Sequence, residues 1–441
     1  MKRLNASIAI VCISFTLAIF APFFILKSDG QQEETAIVFG ELKGSSLQSG
    51  VTITDAGQNR WILYGNREDI EQLCHDSGLS YMMGNIVHVA GFGTWTTPPR
   101  LHTNILHSVR LGDTNQGVDA VRDLYHIPRN VDGSGSAIAL VTIGYPDEGD
   151  IDRFADEARI GYTPLSFFDR PGSKNHVSEN STAVYESSRM IAPRSRIFVY
   201  SAEDTTWTGL TYALLRALGD SWARILVIPW SVDESSIPQP ILTLWHDIFE
   251  SMKQKGVVVI AAAGDRKILL PTDDQLNYPA SDPLVISVGV ATRTLNQDPG
   301  AWPGSRSGIS NLRILPNQQP VNGHGPNVVM IAAPDSGGTY WTGGRPECVG
   351  GSAIAAAMFG GVMADLESQG GLDSVHFGKY DAAHFLETLG RSDPQAFTDV
   401  RSGIAAGYAA APGNDLATGW GLPNVEHMLA VLRNMSTLAV K

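Results

Sequence analysis

Val257-Val258-Val259-Ile260-Ala261-Ala262-Ala263-Gly264-Asp265 reads as a buried strand that ends in a small-residue turn and a carboxylate. A run of β-branched residues with no polar alternate face belongs to a strand covered on both sides. The pattern around it repeats. Residues 137–141, 197–200, 225–228 and 284–288 are further continuous apolar runs. Between them, Ile151, Phe154, Ala155 and Ala158, the segment 210–218, and Ile241, Trp245, Ile248, Phe249 and Met252 follow helical spacing. This alternation predicts an α/β domain, a parallel sheet with helices on both faces. In such sheets the chemistry lies beyond the carboxyl ends of the strands. Two loops stand out there: Gly264-Asp265, and Gly350-Gly351-Ser352-Ala353-Ile354-Ala355, in which a serine opens an Ala-rich helix. The glycines let a substrate approach the backbone, and a helix start supplies free N–H groups for a developing oxyanion. Gly-Gly-Ser is also an ordinary helix cap.

Toward the N-terminus the period changes. Strands are expected at 36–39, 51–53, 61–64 and 86–89, with a turn at Asp55-Ala56-Gly57. One helix fits 66–76, capped by Asn66, with Ile70, Leu73 and Cys74 on one face. Residues 35–95 therefore read as a small β-rich, OB-like barrel that carries no chemistry. Residues 96–117, opened by Thr96-Thr97-Pro98-Pro99, read as a linker to the large domain, 118–435. Ahead of the barrel, segment 1–30 holds Lys2, Arg3 and then an uncharged run over 6–26. As a helix that run spans about 32 Å, enough for a bilayer core. It predicts a membrane anchor or a cleaved signal peptide, with the remainder periplasmic, exterior or secreted.

Of 441 residues, 43% are hydrophobic and 17% charged, which excludes disorder as the main state. A net charge of −13 supplies no bulk attraction to phosphate, so nucleic acid is not an expected partner. Three cysteines exclude a disulfide-stapled scaffold and a multi-Cys metal cluster. Cys12 lies in the apolar run, which leaves Cys74 and Cys348 as a potential pair in an oxidising compartment.

Several motifs in order resemble the sedolisins, serine-carboxyl peptidases with a subtilisin-like fold. Residues 118–128 (VDAVRDLYHIP) resemble the start of the catalytic domain, and Ala192-Pro193-Arg194-Ser195-Arg196-Ile197 its "APxAxI" segment. Residues 256–265 are similar to the strand that ends in the oxyanion-hole aspartate, and Tyr278-Pro279-Ala280-Ser281-Asp282-Pro283 to "FPASSP". Gly350-Gly351-Ser352-Ala353 matches "GTSA", with Gly351 in place of the threonine. The resemblance runs from Val118 to Leu429. It implies peptide-bond hydrolysis, with Ser352 as nucleophile and a protonated Asp265 in the oxyanion hole. It also implies a glutamate base with an aspartate one helical turn later, twelve and eight residues before Ala192. Those positions hold Asn180 and Val184. An amide oxygen is not basic near neutral pH, and valine has no polar atom. The subtilisin arrangement fares no better, because its histidine also falls on Asn180 and its aspartate on Thr142. His176 and Glu179 are the neighbouring groups that a local shift would have to bring in. Adjacent helical residues point about 100° apart, which argues against Glu179.

The resemblance implies three further features. Ile228-Pro229-Trp230-Ser231 falls where the family has its substrate-lining "S-x-S-W-G" edge, so Trp230, Gly264 and Gly351 are expected to contact a peptide. Pro229 removes one backbone donor from that edge. Asp399, Val400, Ala411, Gly413 and Asp415, followed by Thr418-Gly419-Trp420-Gly421-Leu422-Pro423, resemble a structural Ca²⁺ site of carboxylates and carbonyls, as a hard cation requires. The stretch between Lys27 and Val118 is too short for the family's inhibitory propeptide. Three functions follow as expectations: a peptidase with a non-standard base, a pseudopeptidase that binds peptides or partner proteins in its cleft, or an envelope protein whose barrel does the binding.

Overall fold

The computed structural model describes residues 33–39, 51–57, 60–77, 79–89, 93–102, 106–107, 118–168, 176–202, 204–265, 276–293, 297–310, 312, 324–370 and 382–439. The apolar run at 6–26 lies outside them, and with it the anchor or signal reading. Among the described residues no helix is long and apolar enough to cross a membrane.

The N-terminal module contains β1 (Glu33–Phe39), β2 (Thr52–Gly57), β3 (Arg60–Asn66), α1 (Arg67–Ser77), β4 (Ser80–Met83), β5 (Ile86–Val89) and β6 (Gly93–Trp95). Asn66 caps α1 as expected, its Oδ1 accepting from the Glu68 N–H at 3.0 Å. The expected barrel is not formed. The strands make an open antiparallel sheet in the order β2-β3-β1-β4-β5-β6, so β2 and β6 are edges. The reason lies in what covers the sheet. Ala36, Val38 and Leu63 pack with Ile70, Leu73 and Cys74 on the α1 side, whereas Ile37, Met82 and Val87 enter the core of the large domain. A sheet buried on both faces gains nothing by closing. Cys74 and Cys348 are both free: Cys74 is enclosed in the module's core and Cys348 lies in another part of the fold.

The linker carries two short strands that its sequence did not announce, β7 (Leu101–His102) and β8 (Leu106–His107). The large domain begins with α2 (Val118–Leu124), followed by β9 (Ala137–Thr142), α3 (Glu148–Ala158), β10 (Ser166–Phe168), α4 (Glu179–Ile191), β11 (Arg196–Ser201), α5 (Trp207–Asp220), β12 (Ile225–Ile228), β13 (Ser231–Val232), α6 (Gln239–Gln254), β14 (Val258–Ala262) and β15 (Val285–Thr292). After these come β16 (Gly300–Ala301), a small pair β17 (Gly308–Ile309) and β18 (His324–Gly325), then β19 (Val328–Ile331), β20 (Thr339–Thr342), β21 (Arg345–Gly350), α7 (Ser352–Ser368), α8 (Ala382–Ser392) and α9 (Val425–Ala439). The main sheet runs β10-β11-β9-β12-β14-β15, all parallel; β19 joins β15 in parallel and β16 joins it antiparallel.

Parallel strands need covered faces. On one face α4 and α7 lie against the sheet; Ser352 to Leu366 of α7 are all buried, which fits its uniformly apolar run. Gly360 and Gly361 let it approach its neighbours. A Cβ at Gly360 would stand 2.5 Å from Val227 Cγ2, and one at Gly361 2.6 Å from Ile191 Cβ. Ser188 Oγ on α4 donates to the Ala357 carbonyl at 3.1 Å and ties the two helices together. On the other face α5 and α6 bury Trp207 and Trp245, whose rings meet edge to face at 5.8 Å. This is the face on which the N-terminal sheet sits: Thr208 Oγ1 donates to the Gly84 carbonyl at 3.1 Å.

Candidate active site

The sheet brings its two singled-out loops together. β14 ends at Ala262 and the chain turns through Gly264, with φ +101°, to Asp265. A Cβ on Gly264 would stand 2.6 Å from Asn277 Nδ2, so only glycine fits this turn. β21 delivers Gly350 and Gly351 to the start of α7. The Ser352 N–H donates to both Asp265 oxygens, at 3.0 and 3.1 Å. Burial pushes the Asp265 carboxyl up to about 6, against the opposing pull of these Ser352 bonds and of the charges of His102 and Arg306. Gly351 has φ +118°, and a Cβ there would lie 2.8 Å from Asp265 Oδ2. A threonine at this position therefore requires the carboxylate to move.

Asn180 and Val184 occupy the first two turns of α4, which Ser178 caps through its Oγ and the Ser181 N–H at 3.4 Å. Their side chains face one cavity of about 200 Å³ at the carboxyl ends of β9 and β12, walled also by Thr142, His176, Pro229 and Trp230. Neither Asn180 nor Val184 supplies a titratable group to it. His176 borders the cavity and leans on Gly144, where a Cβ would meet its Nε2 at 2.6 Å. Glu179 points elsewhere, its Oε1 beside Gly343 in the β20–β21 turn, as the helical direction predicts. Trp230 serves both the cavity wall and the core. It is 2% exposed, donates from Nε1 to the Val141 carbonyl at 2.8 Å and packs edge to face on Trp245. Its main role is in the core, and it reaches the site only as cavity wall.

The feature that sequence reasoning missed is the linker. β7 pairs antiparallel with β13, His102 opposite Ser231 and Leu101 opposite Val232. β8 pairs antiparallel with the end of β21, Leu106 opposite Gly350 and His107 opposite Val349, immediately before Ser352. The protein's own chain thus lies along both edges that flank the serine. Further bonds hold it. The Trp207 indole donates to the Thr97 carbonyl at 2.7 Å, and the Asp233 N–H to the Arg100 carbonyl at 3.1 Å. His102 Nε2 stands 2.7 Å from Asp233 Oδ1, and Arg306 Nη2 reaches the same oxygen at 3.4 Å. Arg306 is 2% exposed and its Nε lies 3.4 Å from the Asp265 carbonyl. A polar chain His102–Asp233–Arg306 therefore ends beside Asp265.

The five residues expected to hold a cation converge at one loop cluster. The Gly413 N–H donates to Asp399 Oδ2 at 2.9 Å, the Ala411 N–H to Asp415 Oδ2 at 2.7 Å, and Thr418 Oγ1 to the Val400 carbonyl at 3.4 Å. Asp399 Oδ1 is buried with no hydrogen-bond partner, while Arg401 Nε takes Oδ2 at 2.8 Å. Two carboxylates and three carbonyls fit a hard cation. Among the described residues no group of three or more His, Cys, Asp or Glu is placed to hold a metal ion.

No family model matches the chain. Among curated proteins it is 25% identical over 345 residues to kumamolisin of Bacillus sp. (strain MN-32), covering 69% of this chain and 61% of that one. It is 26% identical over 263 residues to sedolisin of Pseudomonas sp. (strain 101), covering 52% and 44%. The chain thus spans only 44% to 61% of the length of these relatives. Among solved structures, Pseudomonas sedolisin, a serine-carboxyl proteinase complexed with two molecules of pseudo-iodotyrostatin, matches with TM-score 0.65 and 19% identity over 75% of this chain and all of that one. Fervidolysin from Fervidobacterium pennivorans, a keratinolytic enzyme related to subtilisin, matches with TM-score 0.52 and 15% identity over 92% and 62%.

Proposed function

We propose that this chain, a sedolisin-family homologue with the subtilisin-like fold, binds an extended peptide strand across Ser352 without a general base to cut it. The observation that carries the reading is the antiparallel pairing of the linker on both flanking edges, His102 with Ser231 and Leu106 with Gly350. Such β-augmentation takes affinity from the main chain and selectivity from side-chain subsites. The occupant here is intramolecular. The N-terminal sheet, seated on α5 and α6, feeds the linker into the cleft, so a foreign peptide has to displace it. Asn180 and Val184 at the acid positions remove the proton acceptor that a serine nucleophile needs.

Hydrolysis through Ser352 is the second reading, favoured by the bonds from the Ser352 N–H to both Asp265 oxygens, which seat the two groups together. Above about pH 6 the Asp265 carboxylate is an acceptor for the hydroxyl proton; below it, the acid is a donor for an oxyanion. One carboxyl cannot fill both roles at once, which weighs against efficient turnover. Labelling with a fluorophosphonate from pH 3 to 8 tests the choice. Label that disappears in Ser352→Ala establishes an activated serine and the second reading, whereas a folded protein that takes none at any pH supports the first. A structural Ca²⁺ held by Asp399, Asp415 and the carbonyls of Val400, Ala411 and Gly413 belongs to the same proposal, supported by the orphaned Asp399 Oδ1. Export, with or without retention by the 6–26 segment, rests on the sequence of that segment alone.

A further inference from the structure

The linker is a template for how the cleft reads a side chain. Where it runs along β13, one of its side chains meets a charged group: His102 turns onto Asp233, which stands just past the edge strand. The backbone on either side is tied down independently of that side chain, by the β7–β13 register and by the Asp233 N–H on the Arg100 carbonyl. Any strand in the same register therefore presents the residue opposite Ser231 to the same carboxylate.

We propose that Asp233 forms a subsite for a basic side chain, so that a peptide docked on β13 is selected for a cationic residue at the position that His102 holds. This rests on the peptide-cleft reading above and specifies its ligand class. The surrounding charges agree. With the linker gone, Arg100 and His102 leave with it. Among the described residues, Asp233, Glu234 and Asp265 then share the guanidinium of Arg306. Arg306 is buried and holds Asp233 in place from behind, at 3.4 Å, rather than competing from the solvent side. Hydrogen bonding to His102 holds the Asp233 carboxyl below its ordinary range, whereas burial pushes Glu234 up. With a basic side chain opposite Ser231, Asp233 is thus the member of the group that keeps its charge, and its side chain is 20% exposed at the rim. An acidic residue in the same register would meet Asp233 at hydrogen-bond distance with like charge, which is strongly selected against.

The test uses the full chain, with its own linker as the probe. Amide hydrogen exchange at Leu101 and His102 is measured in the wild type, H102K, H102A and H102E, each with Asp233 and with D233N. With Asp233 present, protection in H102K is expected to match or exceed that in the wild type. Protection in H102A should fall by about fivefold, the upper range for a partly exposed ion pair, and in H102E by more. In D233N the residues at position 102 should differ by less than about twofold. Linker amides that are protected alike whatever residue stands at 102 overturn the subsite and leave the cleft reading intact. Linker amides that exchange at unprotected rates in the wild type overturn the cleft reading and the subsite together.

Discussion

Asp265 offers a direct measurement of how the fold taxes its own site. Burial raises its carboxyl from 3.8 to about 6 even though Ser352 donates to it. A rise of about two pH units corresponds to about 3 kcal/mol. The sign follows from proton linkage: the folded state binds the proton more tightly than the unfolded one. The stabilisation from the neutral acid is fully present below about pH 4 and is lost as pH rises through about 6, so at pH 7 the ionised group carries the full cost. Asp265→Asn keeps the shape and one acceptor for the Ser352 N–H, and carries no charge at any pH. Its stability relative to the wild type should therefore rise by about 3 kcal/mol between pH 4 and pH 7. Urea unfolding followed by tryptophan fluorescence at pH 4, 5, 6 and 7 reads this difference. Groups common to both proteins, such as Asp365, which burial raises to about 8, cancel in the comparison. A wild-type-to-variant difference that stays flat within about 1 kcal/mol across that range refutes the burial argument for Asp265.

Two other perturbations probe the scaffold. Gly361→Ala should cost about 1–3 kcal/mol, because its methyl would press on Ile191 Cβ at 2.6 Å and the Ser188 carbonyl at 2.9 Å. Gly219→Ala, with open space around it near the end of α5, should be neutral or stabilising, and denaturation midpoints of the pair distinguish close packing from simple helix propensity. If Asp399 and Asp415 hold Ca²⁺, calcium at a hundredfold excess over its Kd adds about 2.7 kcal/mol of stability, and a chelator lowers the melting temperature. An unchanged melting temperature removes the cation from the proposal, and Asp399→Asn should abolish any calcium effect that is seen.

The large domain was legible because its evidence is local. Continuous apolar runs at 137–141, 225–228 and 257–260 can only be strands covered on both faces, and each is found within a residue or two of its expected bounds. In the small module β1, β2, β3 and β5 were legible, whereas β4, β6 and the shape of the sheet were not. Its alternation shows which residues share a face; it does not show that the second face of the sheet lies on α5 and α6, and without that partner a barrel was the natural expectation. The packing of Trp230 was hidden for a related reason. Its place beside the edge strand is visible in the chain, but whether its ring turns outward or onto Trp245 depends on the helices packed beneath it.

By itself the sequence determined the fold class, the two loops that carry Asp265 and Ser352, and the amide and alkyl side chains at Asn180 and Val184. Each of these depends on short-range periodicity or on the identity of a single residue. Only the tertiary structure decided that the linker pairs with β13 and β21 and that His102 meets Asp233, 131 residues away. Strands of two residues have no period to detect. Their pairing is set by where the edges of a finished sheet come to rest, and those edges exist only once the parallel strands have been covered and the N-terminal sheet has docked.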